Sequence, residues 1–107
     1  MIFDVKYTSR ALNDLDSIYE YISNELHEPV IAASMVNLIR AEIRKLNEMP
    51  MRFKLYDDEP WHSQGIRCFN VKKYMIFYLT DDKNKTVTII SIMYGGMNIQ
   101  EQLNENF

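Results

Sequence analysis

From Gly65 the chain reads Gly65-Ile66-Arg67-Cys68-Phe69-Asn70-Val71-Lys72-Lys73-Tyr74-Met75-Ile76-Phe77-Tyr78-Leu79-Thr80, then Asp81-Asp82-Lys83-Asn84-Lys85, then Thr86-Val87-Thr88-Ile89-Ile90-Ser91-Ile92-Met93-Tyr94-Gly95-Gly96. These are three consecutive apolar strands. Phe69 and Val71 share a face of the first, Ile76 and Tyr78 a face of the second, and Ile90, Ile92 and Tyr94 a face of the third. The opposite faces, with Met75, Phe77, Leu79, Val87 and Ile89, are also apolar. One face is expected to cover helices, and the other to be covered by the C-terminal segment or by a partner. Lys72-Lys73 makes a tight turn without the Asn-Gly signal. Asp81 to Lys85 makes a second turn, rich in turn-forming residues. Beyond the glycine pair, Ile99 and Leu103 lie four apart, which predicts a short amphipathic helix from about Asn98.

Upstream, Ile2, Val5 and Tyr7 alternate with polar residues and predict a first strand. Thr8 or Ser9 can cap the helix that follows. In it Leu12, Leu15, Tyr19, Ile22 and Leu26 recur at helical spacing, with Ala11 and Ile18 widening the face, and Asp14 and Asp16 near its start suit the dipole. Pro29 fits the first turn of a second helix. That helix carries Ala32, Met35, Val36, Ile39, Ile43 and Leu46, and Pro50 is expected to stop it. Two helices with a short connection form an antiparallel hairpin. Residues 50–64 form a long connection in which Phe53, Leu55 and Trp61 are expected to tuck under the fold. The summed reading is one α+β domain over residues 1–107. Its order is strand-helix-helix-strand-strand-strand with a short C-terminal helix, and an antiparallel sheet packs on the helical hairpin.

A chain of 107 residues supports a single core. No apolar run approaches the roughly 20 residues that span a bilayer. The opening Met1-Ile2-Phe3-Asp4 lacks the pattern of a signal peptide, and a cytoplasmic location is the expectation. Cys68 is the sole cysteine, and His27 and His62 lie far apart, so neither a disulfide nor a metal site is expected, nor any cofactor. The net charge of −3 conceals a basic zone, since seven cationic residues fall between Arg44 and Lys73.

Several stretches, in order, resemble the toxins of the RelE/ParE superfamily, found in type II toxin–antitoxin pairs. Tyr7-Thr8-Ser9-Arg10-Ala11-Leu12-Asn13-Asp14-Leu15 is similar to that family's strand running into an A-x-x-D-L helix start. Ile18-Tyr19-Glu20-Tyr21-Ile22 resembles its I-x-x-Y-I stripe, and Leu46-Asn47-Glu48-Met49-Pro50 its L-x-x-M/F-P stop. Gly65-Ile66-Arg67, Tyr74-Met75-Ile76-Phe77-Tyr78 and Tyr94-Gly95-Gly96 resemble its last three strands. The resemblance implies the fold of these toxins, a cognate antitoxin of the ParD/RelB kind, and contact with DNA only through the antitoxin complex.

Departures from the pattern favour the ParE-like branch. The ribonucleases of the superfamily place an arginine after the tyrosine of the third strand, where this chain has Met75. Met97 stands where the ribonucleases place a basic residue and where ParE-like relatives often read arginine; methionine offers neither charge nor donor, so this departure counts against both branches and motivates a weakly toxic reading. The resemblance therefore implies a non-enzymatic inhibitor of DNA gyrase, with target contacts at Arg67, Tyr94, Met97 and Asn98. The alternative is a ribosome-dependent mRNA endoribonuclease using Arg67, His62 and Tyr94. A third reading is a weakly toxic, antitoxin-binding homologue. In all three the antitoxin is expected to meet Arg40, Arg44, Trp61, Lys72, Lys73 and Tyr74.

Overall fold

Thr8 turns the first strand into a helix. Its backbone is extended, and its hydroxyl accepts from the Ala11 N–H at 3.0 Å while donating to the Ile90 carbonyl at 2.9 Å. In the computed structural model, which describes residues 2–95, strand β1 (Asp4–Tyr7) leads through Thr8 into α1 (Ser9–Glu20). A turn of π-helix (Tyr21–Glu25) follows, then α2 (Pro29–Arg44) with Pro29 at its first position. Two 3-10 turns, Lys45–Asn47 and Pro50–Arg52, lead to β2 (Arg67–Val71), β3 (Tyr74–Asp81) and β4 (Thr86–Tyr94). The predicted C-terminal helix lies outside the described residues.

The α+β architecture is the expected one, with two corrections in the helices. The buried face of the first helical segment is Ala11, Leu15, Ile18 and Ile22, while Leu12, Tyr19 and Leu26 are 44%, 42% and 52% exposed. The π-turn adds a residue to the helical repeat and shifts the phase after Glu20. The second helix ends at Arg44, well before Pro50. Carbonyls of the segment that follows it are met by Arg52, which donates to Lys45, to Glu48 at 2.8 Å and to Met49 at 3.4 Å.

The sheet runs β1-β4-β3-β2 and is mixed, not wholly antiparallel. β1 lies parallel to β4, from Asp4 opposite Thr86 to Tyr7 opposite Ile89, and the other pairs are antiparallel. The helical connection between β1 and β4 makes the parallel pairing possible. Tyr78 pairs with Ile89 but Phe77 pairs with Ser91, so Ile90 is an extra residue in β4. This bulge breaks the expected common face of Ile90, Ile92 and Tyr94. Ile92 packs with the helix-side core, whereas Ile90 packs on the other face.

Two apolar clusters result. On one face Ile76, Tyr78, Val87, Ile89 and Ile92 meet Leu15, Ile18, Ile39 and Ile43 of the helices. On the other, Phe77 and Met93 meet Trp61 and Ile66. That second face is covered by the 53–66 connection, the covering flap that the aromatic residues suggested. Leu55 bridges to Arg67, and the Tyr56 N–H donates to the Ile66 carbonyl at 2.8 Å. Phe53 stacks on Phe69 at 4.4 Å on the helix side, while Tyr56 meets Phe77 edge-on at 5.3 Å on the far side. The connection therefore wraps around the β2 edge and grips both faces.

Tyr78 fixes the start of this wrap. It is fully buried, and its hydroxyl donates to the Pro50 carbonyl at 2.6 Å. Burial pushes its phenol up to about 12, with the nearby Arg67 acting in the opposite sense. Removing the hydroxyl as Tyr78→Phe strands the Pro50 carbonyl, and a loss of about 1–2 kcal/mol is expected in denaturant unfolding. A phenol with a raised pKa favours the folded state fully below pH 10 and loses that contribution as pH rises through about 12. The wild-type alkaline decline should accordingly be shallower in Tyr78→Phe. Cys68 is governed by the same burial, which raises its thiol to about 12. At pH 8 a disulfide reagent should modify it more than about a hundredfold slower than a free thiol. Denaturant should restore the ordinary rate.

Candidate partner-binding groove

A groove of about 860 Å³ opens between the helical hairpin and one end of the sheet. Its floor holds Ile18, Ile22, Met35 and Ile92, and its mouth carries Arg10, Lys72, Lys73 and Tyr94. The length of the strands creates it. β1 ends at Tyr7, opposite Ile89, while β4 runs on to Tyr94, so the last five residues of β4 have no strand on that side. The first helical segment stands over this gap, and the π-turn places Tyr21 and Ile22 along its wall.

The opposite wall is the β2–β3 turn. Lys72 takes a left-handed backbone with φ of 55°, which lets two lysines close a turn that carries no glycine. Gly95 packs against this turn, with its N–H donating to the Lys73 carbonyl at 2.8 Å. A Cβ at Gly95 would lie 3.2 Å from that oxygen, so glycine permits the close approach. The Tyr74 and Tyr94 rings meet edge-on at 5.7 Å. Burial raises the Tyr74 phenol, and the neighbouring Tyr94 and Tyr21 act in the same direction. Lys72 and Lys73 form no ion pair among the described residues, so both charges face whatever enters the groove. An apolar floor with a cationic mouth suits an amphipathic segment carrying acidic residues.

The residues singled out from the sequence fall into separate places. Lys72, Lys73, Tyr74 and Tyr94 come together at the groove. Arg40 instead lies over the Tyr7 ring at 5.2 Å, and Arg44 acts on the same phenol, which puts both beside β1. Trp61 is 2% exposed within the second cluster and has no surface for a partner; its selection as a contact is corrected by burial. Arg67 donates to the Phe53 carbonyl at 2.7 Å, and its buried Nε has no hydrogen-bond partner, so the guanidinium is turned towards the wrapping connection. The His62 ring nitrogen lies 2.9 Å from the Tyr56 carbonyl. Met97 and Asn98 lie outside the described residues.

The three candidate catalytic groups are not assembled. Arg67 pairs with Tyr78 at one end of the β2–β3 hairpin, while Tyr94 pairs with Tyr74 at the other. Four residues of strand separate those levels, about 13 Å. His62 sits on the wrapping connection. Among the described residues no cluster of His, Cys, Asp and Glu could hold a metal, and no helix is long and apolar enough to cross a membrane.

Groove residues that sequence reasoning did not select are Arg10, Tyr21, Ile31 and Met35. The available signal was an excess of apolar residues on the hairpin beyond what one buried stripe requires. Asp14 was also missed as a wall residue, because its place near a helix start supplied a sufficient local reason for an acid.

Comparison with known proteins places this geometry in context. The family model described as "ParE toxin of type II toxin-antitoxin system, parDE" matches residues 5–99. No curated protein sequence matches the chain significantly. Among solved structures, the chain is similar to one from the chromosomal ParDE toxin–antitoxin system of P. aeruginosa, with a TM-score of 0.71 and 22% identity over 87% of this chain and 96% of that one. It is similar to one from the RelBE2 toxin–antitoxin complex of Mycobacterium tuberculosis, with a TM-score of 0.62 and 22% identity over 88% and 92%. A mutant E. coli toxin RelE in the free state superposes with a TM-score of 0.66 at 13% identity, covering 99% and 94%. At these identities the solved structures establish the shared fold, while the family match spans nearly the whole chain. The protein belongs to the ParE toxin family of type II toxin–antitoxin systems.

Proposed function

We propose that this toxin is neutralised by a cognate antitoxin whose amphipathic, acidic segment seats in the groove, and that its cellular action is to bind and inhibit DNA gyrase. The groove carries the first half of this reading. It joins an apolar floor to two lysines without ionic partners among the described residues. Exposed apolar surface of this extent is a common mark of a protein-binding site. The similar ParDE and RelBE2 structures come from a toxin–antitoxin system and a toxin–antitoxin complex.

The gyrase reading draws on the family match and on the dispersal of the catalytic candidates. Metal-independent RNA cleavage needs a base, a phosphate clamp and a proton donor within hydrogen-bond reach of one phosphate. Arg67 and Tyr94 lie at opposite ends of a hairpin, and Met75 provides no cation between them. The mRNA endoribonuclease is thus the weaker alternative.

Induction of the chain without antitoxin should arrest bacterial growth and switch on a DNA-damage reporter. Arrest with a silent reporter would move the target to mRNA. Continued growth would leave an antitoxin-binding homologue with little toxicity. Purified toxin and antitoxin should co-elute. The double charge reversal Lys72→Glu with Lys73→Glu should weaken their complex about 10- to 100-fold in titration calorimetry, with a shallower salt dependence than the wild type. Unchanged affinity would remove the cationic mouth from the interface.

A further inference from the structure

The end of β4 presents an unusual edge. After Ile89 the strand loses its β1 neighbour, yet it continues to Tyr94 and forms a wall of the groove. A free strand edge of this kind leaves backbone groups unpaired and invites another strand to add to it. Here one backbone amide and two side chains from the segment after β1 occupy the edge in sequence. The Thr8 N–H donates to the Ile89 carbonyl at 3.0 Å, and the Thr8 hydroxyl donates to the Ile90 carbonyl at 2.9 Å. Six residues further along, Asp14 Oδ2 accepts from the Ile92 N–H at 2.9 Å. Its other oxygen is held by Arg10 Nε at 3.1 Å.

We propose that Asp14 is the positioning residue of the groove: its carboxylate stands in for the strand that β1 is too short to supply, fixing the terminal stretch of β4 against α1 and closing that edge to strand addition. Four observations converge on this assignment. The contact joins residues 78 apart in sequence, so it is tertiary and not a local turn. It falls at the first strand-edge amide past the bulge, where β4 is paired with β3 on one side and has no strand on the β1 side. Asp14 itself lines the groove, and its side chain is only 14% exposed. A largely buried carboxylate is costly to desolvate and persists where it satisfies donors that no other group reaches.

The assignment has a consequence for recognition. With Ile92 already capped, a partner meets this wall through side chains inserted over Ile92 and Tyr94, and not by extending the sheet. Arg10 then has two roles, orienting Asp14 and lending positive charge to the groove mouth. The recognition consequence rests on the groove being the antitoxin seat, whereas the structural role of Asp14 does not.

Amide hydrogen exchange of the full-length free protein, followed by NMR, separates the two. Asp14→Leu should speed exchange at Ile92 by about tenfold or more relative to Ile76 in the centre of β3. It should also weaken the nuclear Overhauser contacts between the Tyr74 and Tyr94 rings. Asp14→Asn keeps an acceptor oxygen and should preserve both signals. Equal acceleration at Ile92 and Ile76 would mean general destabilisation and would overturn the assignment, as would unchanged exchange in Asp14→Leu. In titrations with antitoxin, Asp14→Leu should bind at least about tenfold more weakly than Asp14→Asn. Equal affinity of the two variants, with Ile92 selectively opened, would overturn the recognition role. Failure of the wild-type chain to bind any antitoxin would instead defeat the groove reading and leave the exchange result to decide the role of Asp14.

Discussion

Strands β3 and β4 are apolar on both faces, and most of this structure answers that constraint. Ile76, Tyr78, Val87, Ile89 and Ile92 point one way, and Phe77 and Met93 point the other. At about 25 cal/mol for each Å² of apolar surface removed from water, neither layer can remain bare in a domain of this size. The helical hairpin satisfies one side. The 53–66 connection satisfies the other, at the cost of ordering a long irregular segment. Its order is secured by polar contacts to backbone carbonyls, Tyr78 to Pro50 and Arg67 to Phe53, and by Trp61 sealed over Phe77 and Met93. An arginine that interrupts an apolar strand is in this way part of the architecture.

The groove lies where the covering is incomplete. β1 contributes four residues and β4 nine, so the sheet is stepped at one corner. The step leaves a hollow under the first helical segment, and the β2–β3 turn raises a wall across it. The bulge at Ile90 matters here as well, because it rotates Ile92 and Tyr94 onto the helix side, where they become floor and mouth. Without it, the alternation of the preceding residues would have turned Ser91, in place of Ile92, towards the helices. A one-residue irregularity thus decides which side chains line the groove.

Charge is distributed to match. Most cations of the central basic zone are engaged locally: Arg52 with the carbonyl ends that follow α2, Lys45 with Glu42, Lys54 with Asp57, Arg67 with Phe53. Lys72 and Lys73 are not. A zone that is basic by count is therefore focused by tertiary structure to two adjacent lysines at one opening, beside the Arg10–Asp14 pair. This explains how an acidic protein can present a cationic binding mouth.

The one-dimensional pattern was enough for the elements themselves. Strand alternation, helical spacing, Thr8 as cap, Pro29 at a helix start and the two C-terminal turns are local properties, set by backbone geometry and by the spacing of apolar residues, and the ordered series of short motifs identified the superfamily. The groove was legible only in part. Lys72, Lys73, Tyr74 and Tyr94 stood out because a turn of two lysines between tyrosine-bearing strands is visible in the sequence. Trp61 was misjudged because exposure depends on what folds over a residue. Leu26 follows a π-turn that rephases the helix without a clear sequence signal, whereas Leu12 and Tyr19 precede it and border a stripe whose buried width is set by the packing of the hairpin on the sheet. The parallel pairing of β1, the bulge at Ile90 and the reach of Asp14 to Ile92 join residues distant along the chain. Local propensity carries no information about such contacts, and only the folded packing of α1 against the step in the sheet decides them.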